Sequence, residues 1–315
     1  MMTEQKDVVV VGGGAAGLSA ALTLARARRR VTVVDAGKPR NAPASAAHGV
    51  LGLEGVNPLE LLARGRAEVE SYGGQVLRGR VTSASAETSG IRVTVDGRTT
   101  LLGRALLIAS GVVDDLPGIP GLRERWGRDV VHCPYCHGWE IRDRRIGLLA
   151  TGPVSALQAL LFHQWSDQVR FFPQSLEFGA EDLGKLVAVG IPVVHGEIVG
   201  LEGEDDRLTG VRMDDGALVE LDALAVPSRT TARTEGLAEL GVETTEHPMG
   251  TSITADPAGR TSVPGVWAAG NVVDPAVQVS EAAARGARVA MTINTDLVFQ
   301  DADRALVGAR AGQEA

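Results

Sequence analysis

The N-terminal part of the chain alternates between short apolar runs and stretches with helical spacing. Asp7 is followed by four valines, a run typical of a buried parallel strand. Glycines and alanines occupy 12–17, and apolar residues then recur at helical spacing over 18–28. A second apolar run at 31–34 ends in Asp35. This order predicts a strand, a tight turn, a helix and a second strand, as in a doubly wound α/β fold.

The predicted turn has the spacing of a phosphate-binding loop. Gly12, Gly14 and Gly17 match the pattern GxGxxG. Such glycines let the backbone approach a pyrophosphate, and the N-terminus of the following helix supplies N–H donors. An acid about 20 positions further on accepts ribose hydroxyls, and Asp35 suits that role. The pattern predicts a dinucleotide site but does not distinguish FAD from NAD.

Composition narrows the class of protein. The chain has 315 residues, of which 44% are hydrophobic and 22% charged, with a net charge of −8. The acidic balance argues against general nucleic-acid binding. Residues 8–25 carry no charge, but the glycines at 12–14 and 17 interrupt a smooth apolar helix, so we expect neither a membrane span nor an export signal. The expected location is therefore the cytoplasm.

Later segments repeat the strand-and-turn pattern. Residues 106–111 and 263–271 each predict a buried strand that ends in a turn, and a helix is predicted from 278–281 through 291. The stretch 117–121 is rich in proline and glycine and predicts a linker. Over 7–297 the chain resembles flavoprotein disulfide reductases of the low-molecular-weight thioredoxin reductase type. The resemblance implies FAD as cofactor and two doubly wound (Rossmann-like) dinucleotide-binding α/β domains.

The resemblance also implies which residues contact FAD. The turn Ala109-Ser110-Gly111 would line the site. Asn271 stands where the family has an aspartate on the ribityl chain, and an amide can make that hydrogen bond. The helix after Asn271 would direct its N-terminus at the flavin and favour negative charge there. The full set of expected FAD contacts is Gly12, Gly14, Ala15, Ala16, Gly17, Asp35, Ala36, Arg40, Asn41, His48, Val81, Ala109, Ser110, Gly111, Gly270, Asn271, Gln278 and Val279.

The chain has two cysteines, Cys133 and Cys136, in the sequence HCPYCHGWE at 132–140. A zinc half-site lacks a second ligand pair at suitable spacing, so we expect no metal. Attachment of a c-type haem needs export, and a thioredoxin-like active site would lie near the start of a small domain. The resembling family instead places a redox-active disulfide just after the linker, as here. Pro134 favours a turn onto a helix start, which lowers the pKa of a thiol.

His137 follows the second cysteine, where thioredoxin reductases carry an acid. Because an imidazole titrates at about pH 6.5 and both takes and gives protons, His137 is predicted to be the acid–base group. A packed structural histidine is the alternative, and His132 and His48 are weaker candidates for the role. Tyr135 and Trp139 are predicted either to line a substrate pocket or to pack structurally.

The second dinucleotide unit departs from the resembling family. After the strand predicted at 145–149, the family has GxGxxA for the pyrophosphate of NADPH, whereas this chain has ATGPVS at 150–155. Ala150 replaces the first glycine, and Pro153 removes a backbone donor. After the strand predicted at 169–172, PQSLEF at 173–178 replaces a basic run that grips the 2′-phosphate. We therefore expect a dinucleotide fold that has lost its dinucleotide.

This combination resembles the flavin-dependent dithiol oxidases that close disulfides in small natural products such as holomycin and gliotoxin. In the implied cycle a substrate thiolate attacks Cys133, and a second substrate thiol, deprotonated by His137, closes the product disulfide. Cys136 passes the electron pair to the flavin, and O2 takes it to give hydrogen peroxide. The implied partners are a small-molecule dithiol and O2. The alternatives are an NADPH-dependent thioredoxin reductase, a ferredoxin-linked reductase and a non-catalytic flavin redox sensor.

The predicted architecture is one domain inserted into another. A discontinuous FAD-binding domain takes 1–117 and 247–315, and the cysteine-bearing, degenerate NAD(P)-binding-like domain takes 118–246. The resemblance implies a homodimer, and neither nucleic acid nor a membrane is an expected partner. The tail after 297 is predicted to be a terminal helix or a frayed end.

Overall fold

The computed structural model describes residues 4–313. Its first unit follows the predicted order. Strand β1 (Glu4–Val11) leads through the glycine turn into helix α1 (Ala15–Arg26), and β2 (Val31–Asp35) lies parallel to β1. The side chains of β1 from Val8 to Val10 are fully buried, as expected of a central strand covered on both faces.

The remaining strands of this sheet come from both ends of the chain. The strands are β3 (Gln75–Arg78), β4 (Val81–Glu87), β5 (Gly90–Val95), β6 (Thr99–Ile108) and β18 (Val266–Ala268), and helix α2 (Pro58–Ser71) precedes β3. The strand order is β3-β2-β1-β6-β5-β4, with β18 also pairing β6. β3, β2, β1, β6 and β18 pair in parallel, whereas β4, β5 and the start of β6 form an antiparallel meander. The late strand β18 therefore completes a sheet that the N-terminus begins.

The last helix, α6 (Val279–Gln313), packs against α1. The two backbones come so close that a Cβ at Gly286 would lie 2.0 Å from the carbonyl oxygen of Ala16. Val289, Ile293 and Leu297 of α6 share one core with α1 and one face of the sheet. The tail that the sequence left as helix or frayed end is helical through Gln313.

The middle of the chain builds a second α/β unit with its own core. Its elements are β8 (Val130–Val131), α3 (Pro134–His137), β9 (Ile146–Leu149), α4 (Ser155–Phe162), β10 (Val169–Phe172), α5 (Ala180–Ala188), β11 (Ile198–Glu204), β12 (Arg207–Met213), β13 (Leu218–Glu220) and β14 (Ala223–Ala225). A parallel sheet has the order β10-β9-β14-β8, and β11, β12 and β13 form an antiparallel layer. The buried residues of this unit's two core clusters lie between Leu122 and Val226.

Two crossover strands join the units. β7 (Val112–Asp115) carries the chain into the second unit, and β15 (Arg229–Ala232) brings it back, antiparallel to β7. β17 (Gly250–Ile253) and β16 (Thr244–His247) extend the same sheet. Leu237 and Leu240 pack in the core of the first unit. The domain boundary at 246 stays a prediction, and this packing favours an earlier one.

Within residues 4–313, no helix combines the length and the apolar content that crossing a bilayer requires.

Candidate active site

A cavity of about 560 Å³ opens where β1, β2 and β6 end, and it extends to the cysteines of the second unit. The carboxyl ends of parallel strands are where α/β folds bind ligands. The glycine turn forms one wall, the segment after β6 another, and the cysteine motif closes the far end.

The glycine turn is shaped by close approach on one side and open space on the other. Gly12 has a φ of +111°, and a Cβ there would lie 2.3 Å from the carbonyl oxygen of Ala109. Gly14 lines the cavity, and a Cβ built on it meets nothing within 4 Å. The first N–H groups of α1, which lack partners within the helix, start at this open wall. The turn therefore offers donors and room to an anionic group.

Asp35 lies against this turn at the end of β2. Its Oδ1 accepts a hydrogen bond of 2.8 Å from the amide of Gly37, and Arg66 lies 3.5 Å from its Oδ2. A Cβ on Gly13 would lie 2.4 Å from the Asp35 carboxyl carbon, so only glycine permits the carboxylate to sit over the turn. Asp35 also lines the cavity, as a ribose ligand must.

The opposite wall is held by two polar side chains. Ser110 donates from Oγ to the carbonyl oxygen of Arg233 at 2.6 Å. The Asn271 amide nitrogen donates to the carbonyl oxygens of Pro275 at 3.1 Å and Val277 at 3.0 Å. An aspartate could not make these bonds, because it has no N–H to donate. Asn271 therefore fixes the loop that leads into α6.

The cysteine motif starts helix α3. Cys133 is the N-cap, and Pro134 is the first helical residue, where a missing N–H leaves no bond unmade. The two sulfur atoms lie 2.8 Å apart, with the Cys136 thiol donating to Cys133. This hydrogen bond, helped by backbone N–H groups and opposed by burial, lowers the pKa of Cys133 to about 7. The same hydrogen bond, together with burial, raises the pKa of Cys136. Cys133 is therefore the thiolate of the reduced pair.

The predicted acid–base group lines the cavity beside the cysteines. His137 ends α3, and its buried Nδ1 has no hydrogen-bond partner in the described part of the chain. Burial lowers the pKa of His137, although Glu140 opposes the shift. A neutral imidazole at pH 7 can act as a base. His48 is engaged instead, with Nδ1 2.7 Å from Glu54 and Nε2 3.4 Å from Glu140.

The cavity gathers residues from distant parts of the sequence. The predicted cofactor residues that line it are Gly12, Gly14, Ala15, Ala16, Asp35, Ala36, Arg40, Asn41, His48, Val81, Ala109, Ser110, Gly111, Asn271, Gln278 and Val279. Gly17 and Gly270 are not among them, and their predicted contact with FAD stays a prediction, while the structure shows that both are closely packed. A Cβ on Gly17 would lie 1.9 Å from the Gly12 carbonyl oxygen, and one on Gly270 would lie 2.7 Å from the Ala16 Cβ.

Sequence reasoning missed three cations in the wall. Lys38, Arg80 and Arg233 line the cavity and form no ion pair within residues 4–313. They stand singly in loops and at strand ends, so no local pattern marks them. Tyr135 and Trp139 are 62% and 64% exposed and do not line the cavity. No cluster of three or more metal-ligating side chains occurs in the described residues.

Comparisons with known proteins agree with this geometry. Residues 6–287 match the family model described as pyridine nucleotide-disulphide oxidoreductase. The chain belongs to this family. Thioredoxin reductase tcpT of Claviceps purpurea is 34% identical, over 84% of this chain and 86% of its own length. Thioredoxin reductase sirT of Leptosphaeria maculans is 30% identical, over 94% and 95%.

A solved structure matches the whole chain. The crystal structure of HlmI gives a TM-score of 0.93 at 44% identity, covering 100% of this chain and 99% of HlmI. The predicted resemblance to thioredoxin reductase-type proteins and the dinucleotide-binding α/β fold are confirmed. The chain is a thioredoxin reductase-like oxidoreductase.

The family description implies a pyridine nucleotide, which the second unit of this oxidoreductase does not fit. Ser155 Oγ accepts the amides of Thr151 at 3.1 Å and Gly152 at 3.3 Å, donors that a phosphate would need. The Thr151 hydroxyl donates to the carbonyl oxygen of Pro227. A cavity of about 10 Å³ lies between this loop and Pro227. Two of the loop's amides are therefore already bonded within the loop, which leaves fewer free donors for a phosphate than the glycine turn of the first unit has.

Proposed function

We propose that this oxidoreductase is an FAD-dependent dithiol oxidase, which closes an intramolecular disulfide in a small-molecule dithiol. One observation carries the proposal. The first unit offers a large cavity that reaches the cysteine pair, whereas the loop at the nucleotide position of the second unit bonds its own donors to Ser155 and Pro227. A protein built this way draws electrons from a thiol substrate and not from NADPH.

The cavity wall suits FAD. Gly14 leaves room and N–H donors for a pyrophosphate, and Asp35 supplies a carboxylate for ribose hydroxyls. Gly111, with a φ of +73°, leaves open space at the end of β6. Lys38, Arg80 and Arg233 add positive charge that an anionic cofactor would neutralise. Bound FAD would supply a two-electron acceptor for the cysteine pair, with O2 as the final oxidant and hydrogen peroxide as its product.

The chain's own residues perform the thiol exchange. A substrate thiolate attacks Cys133 of the Cys133–Cys136 disulfide, which forms a mixed disulfide and releases Cys136. His137 takes the proton from the second substrate thiol, whose sulfur then displaces Cys133 and closes the product disulfide. Cys133 leaves readily because the Cys136 thiol and backbone N–H groups stabilise its thiolate. The pair ends with the two electrons that the substrate lost.

The test is anaerobic mixing of the purified yellow holoenzyme with dithiothreitol or with NADPH. The proposal expects the dithiol to bleach the flavin absorbance rapidly and NADPH to leave it unchanged. Rapid bleaching by NADPH with none by dithiols would show a thioredoxin reductase instead. The homodimer stays a prediction of the resemblance, and the cytoplasmic location stays a prediction of the sequence.

A further inference from the structure

A buried polar network lies beside Cys133 and has no role in the thiol exchange described above. Arg40 binds Asp114 with two hydrogen bonds, Nε to Oδ2 at 2.9 Å and Nη2 to Oδ1 at 2.6 Å. Its third donor, Nη1, reaches the carbonyl oxygen of Pro275 at 2.9 Å. The Asp114 side chain is only 9% exposed. Three of the five N–H donors of the guanidinium therefore hold one carboxylate and one loop.

Ser228 extends the network to the residue next to the reactive cysteine. The buried Ser228 hydroxyl donates to Asp114 Oδ1 at 2.6 Å, and its amide donates to Nδ1 of His132 at 3.1 Å. Burial and the positive charge of Arg40 lower the pKa of His132, against the opposing effect of Asp114. His132 is therefore neutral at pH 7. In the tautomer that carries its proton on Nε2, Nδ1 accepts the hydrogen bond from the Ser228 amide. In the other tautomer Nδ1 would donate to the Val226 carbonyl oxygen, which lies 3.3 Å away.

The members of the network come from five separate segments. Arg40 follows β2, Asp114 lies in the first crossover strand, and Ser228 directly precedes the second. Pro275 lies in the loop before α6, and His132 precedes Cys133. A buried ion pair is weak evidence for added stability, because apolar residues of similar volume often stabilise as well. This network consists of directional bonds, spans both crossover strands and ends at the cysteine motif. Its role is therefore better described as fixing the position of that motif relative to the crossover strands.

We propose that Asp114 is a positioning residue that, through Ser228 and His132, holds Cys133 at the wall of the cavity. The proposal rests on the proposed function in one respect, namely that the cavity holds the electron acceptor of the cysteines. Since reacting atoms must approach to about 3–3.5 Å, a small shift of Cys133 slows electron transfer steeply.

Four holoenzyme variants test this role: Asp114→Asn, Ser228→Ala, the double variant and Asp115→Asn. Asp115 is the matched control, because it lies in the same strand and accepts a 2.8 Å hydrogen bond from Thr231, while its side chain makes no hydrogen bond to the network in the described part of the chain. Asp114→Asn leaves Arg40 without its carboxylate, and Ser228→Ala supplies a milder break of the same network in case that variant does not fold. Bound flavin per chain and circular dichroism report folding.

The first readout is anaerobic bleaching of the flavin by dithiothreitol in a stopped-flow instrument. Asp114→Asn and Ser228→Ala are each expected to slow it by about 100-fold, the cost of misplacing a reacting group by about 1 Å. The double variant should be no slower than the slower single, because both changes break one chain of contacts. Asp115→Asn should stay within about twofold of the parent. Single variants that match the parent, or losses that multiply, would overturn the proposal.

The second readout does not depend on oxidase activity. The reduced holoenzymes are alkylated with iodoacetamide at high pH, where Cys133 is fully ionised, and the Cys133 peptide is quantified by mass spectrometry. In both network variants the loosened Cys133 should be alkylated several-fold faster than in the parent, and in Asp115→Asn its alkylation rate should equal that of the parent. Equal alkylation rates in all the variants would contradict the proposal. If dithiothreitol fails to bleach the parent, the proposed function is wrong, and the alkylation pattern alone decides the role of Asp114.

Discussion

The thiol of Cys133 is expected to titrate near neutral pH, and removing the neighbouring sulfur of Cys136 should raise the pKa of Cys133. Three features lower its pKa to about 7: the hydrogen bond from the Cys136 thiol, which is the largest, the backbone N–H groups of Cys136 and Tyr135 at the helix start, and the positive charge of Arg40. Cys136→Ala removes the first feature and keeps the other two. The pKa of Cys133 should therefore rise in Cys136→Ala.

The size of the effect follows from the two pKa values. A thiol with a pKa of about 7 is about half ionised at pH 7, against about 1% for one at its ordinary 9.0, a gain of about 50-fold in thiolate. A weaker base is also a weaker nucleophile, and a Brønsted coefficient of about 0.45 over two units costs about eightfold. The net gain in reaction rate at pH 7 is therefore about sixfold, while the midpoint of the pH profile moves by the full shift.

The assay measures the rate of iodoacetamide modification of the reduced holoenzyme from pH 5 to 10, with the modified cysteine identified by mass spectrometry. The parent should react first at Cys133 with a midpoint of about 7. Cys136→Ala should have a higher midpoint, and the matched variant Tyr135→Phe, which keeps both sulfurs and the backbone, should match the parent. A parent midpoint near 9, or first modification at Cys136, would refute this account of the pair.

Three further predictions concern the cavity. Gly14→Val should fold but bind less flavin, because its side chain enters the open space of the cavity. Gly12→Ala should lower the melting temperature, because its Cβ would lie 2.3 Å from a backbone oxygen. Flavin content and thermal unfolding separate the two effects. Asn271→Asp should lose about 2 kcal/mol in urea unfolding, at about 1 kcal/mol for each of its two short hydrogen bonds, and an unchanged value would contradict the loop-holding role. His137→Gln should lower dithiol turnover at pH 7 by about 100-fold; since burial lowers the pKa of His137, the loss of activity that depends on protonation of His137 should lie below pH 6.5 in the parent and be absent from the variant.

Local pattern predicted the first unit well. The valine run, the glycine turn and Asp35 are close in sequence, so their order alone predicts β1, α1 and β2. The strand at 106–111 and the late strand at 263–271 also formed, as β6 and β18. The sequence did not show that these two pair with each other, since pairing depends on the whole sheet and not on any local run.

What sequence reasoning missed depends on contacts between distant segments. Gly17 fits a phosphate-loop pattern, yet its missing side chain serves the packing of α1 against Gly12. From the sequence, Asn271 is only a replacement for the family's aspartate. The structure adds that its amide N–H groups bond to the loop before α6. Arg233 reaches the cavity only because the second crossover returns beside the turn that follows β6. None of these roles has a signature within its own stretch of chain.

The central claim is that a small dithiol, and not NADPH, supplies the electrons. The most direct measurement is oxygen uptake by the holoenzyme with dithiothreitol in the absence of any nicotinamide, with hydrogen peroxide and disulfide measured together. The account predicts one O2 consumed and one H2O2 formed for each disulfide, and no turnover in Cys133→Ser. Oxygen uptake or disulfide reduction that appears only when NADPH is added would contradict it.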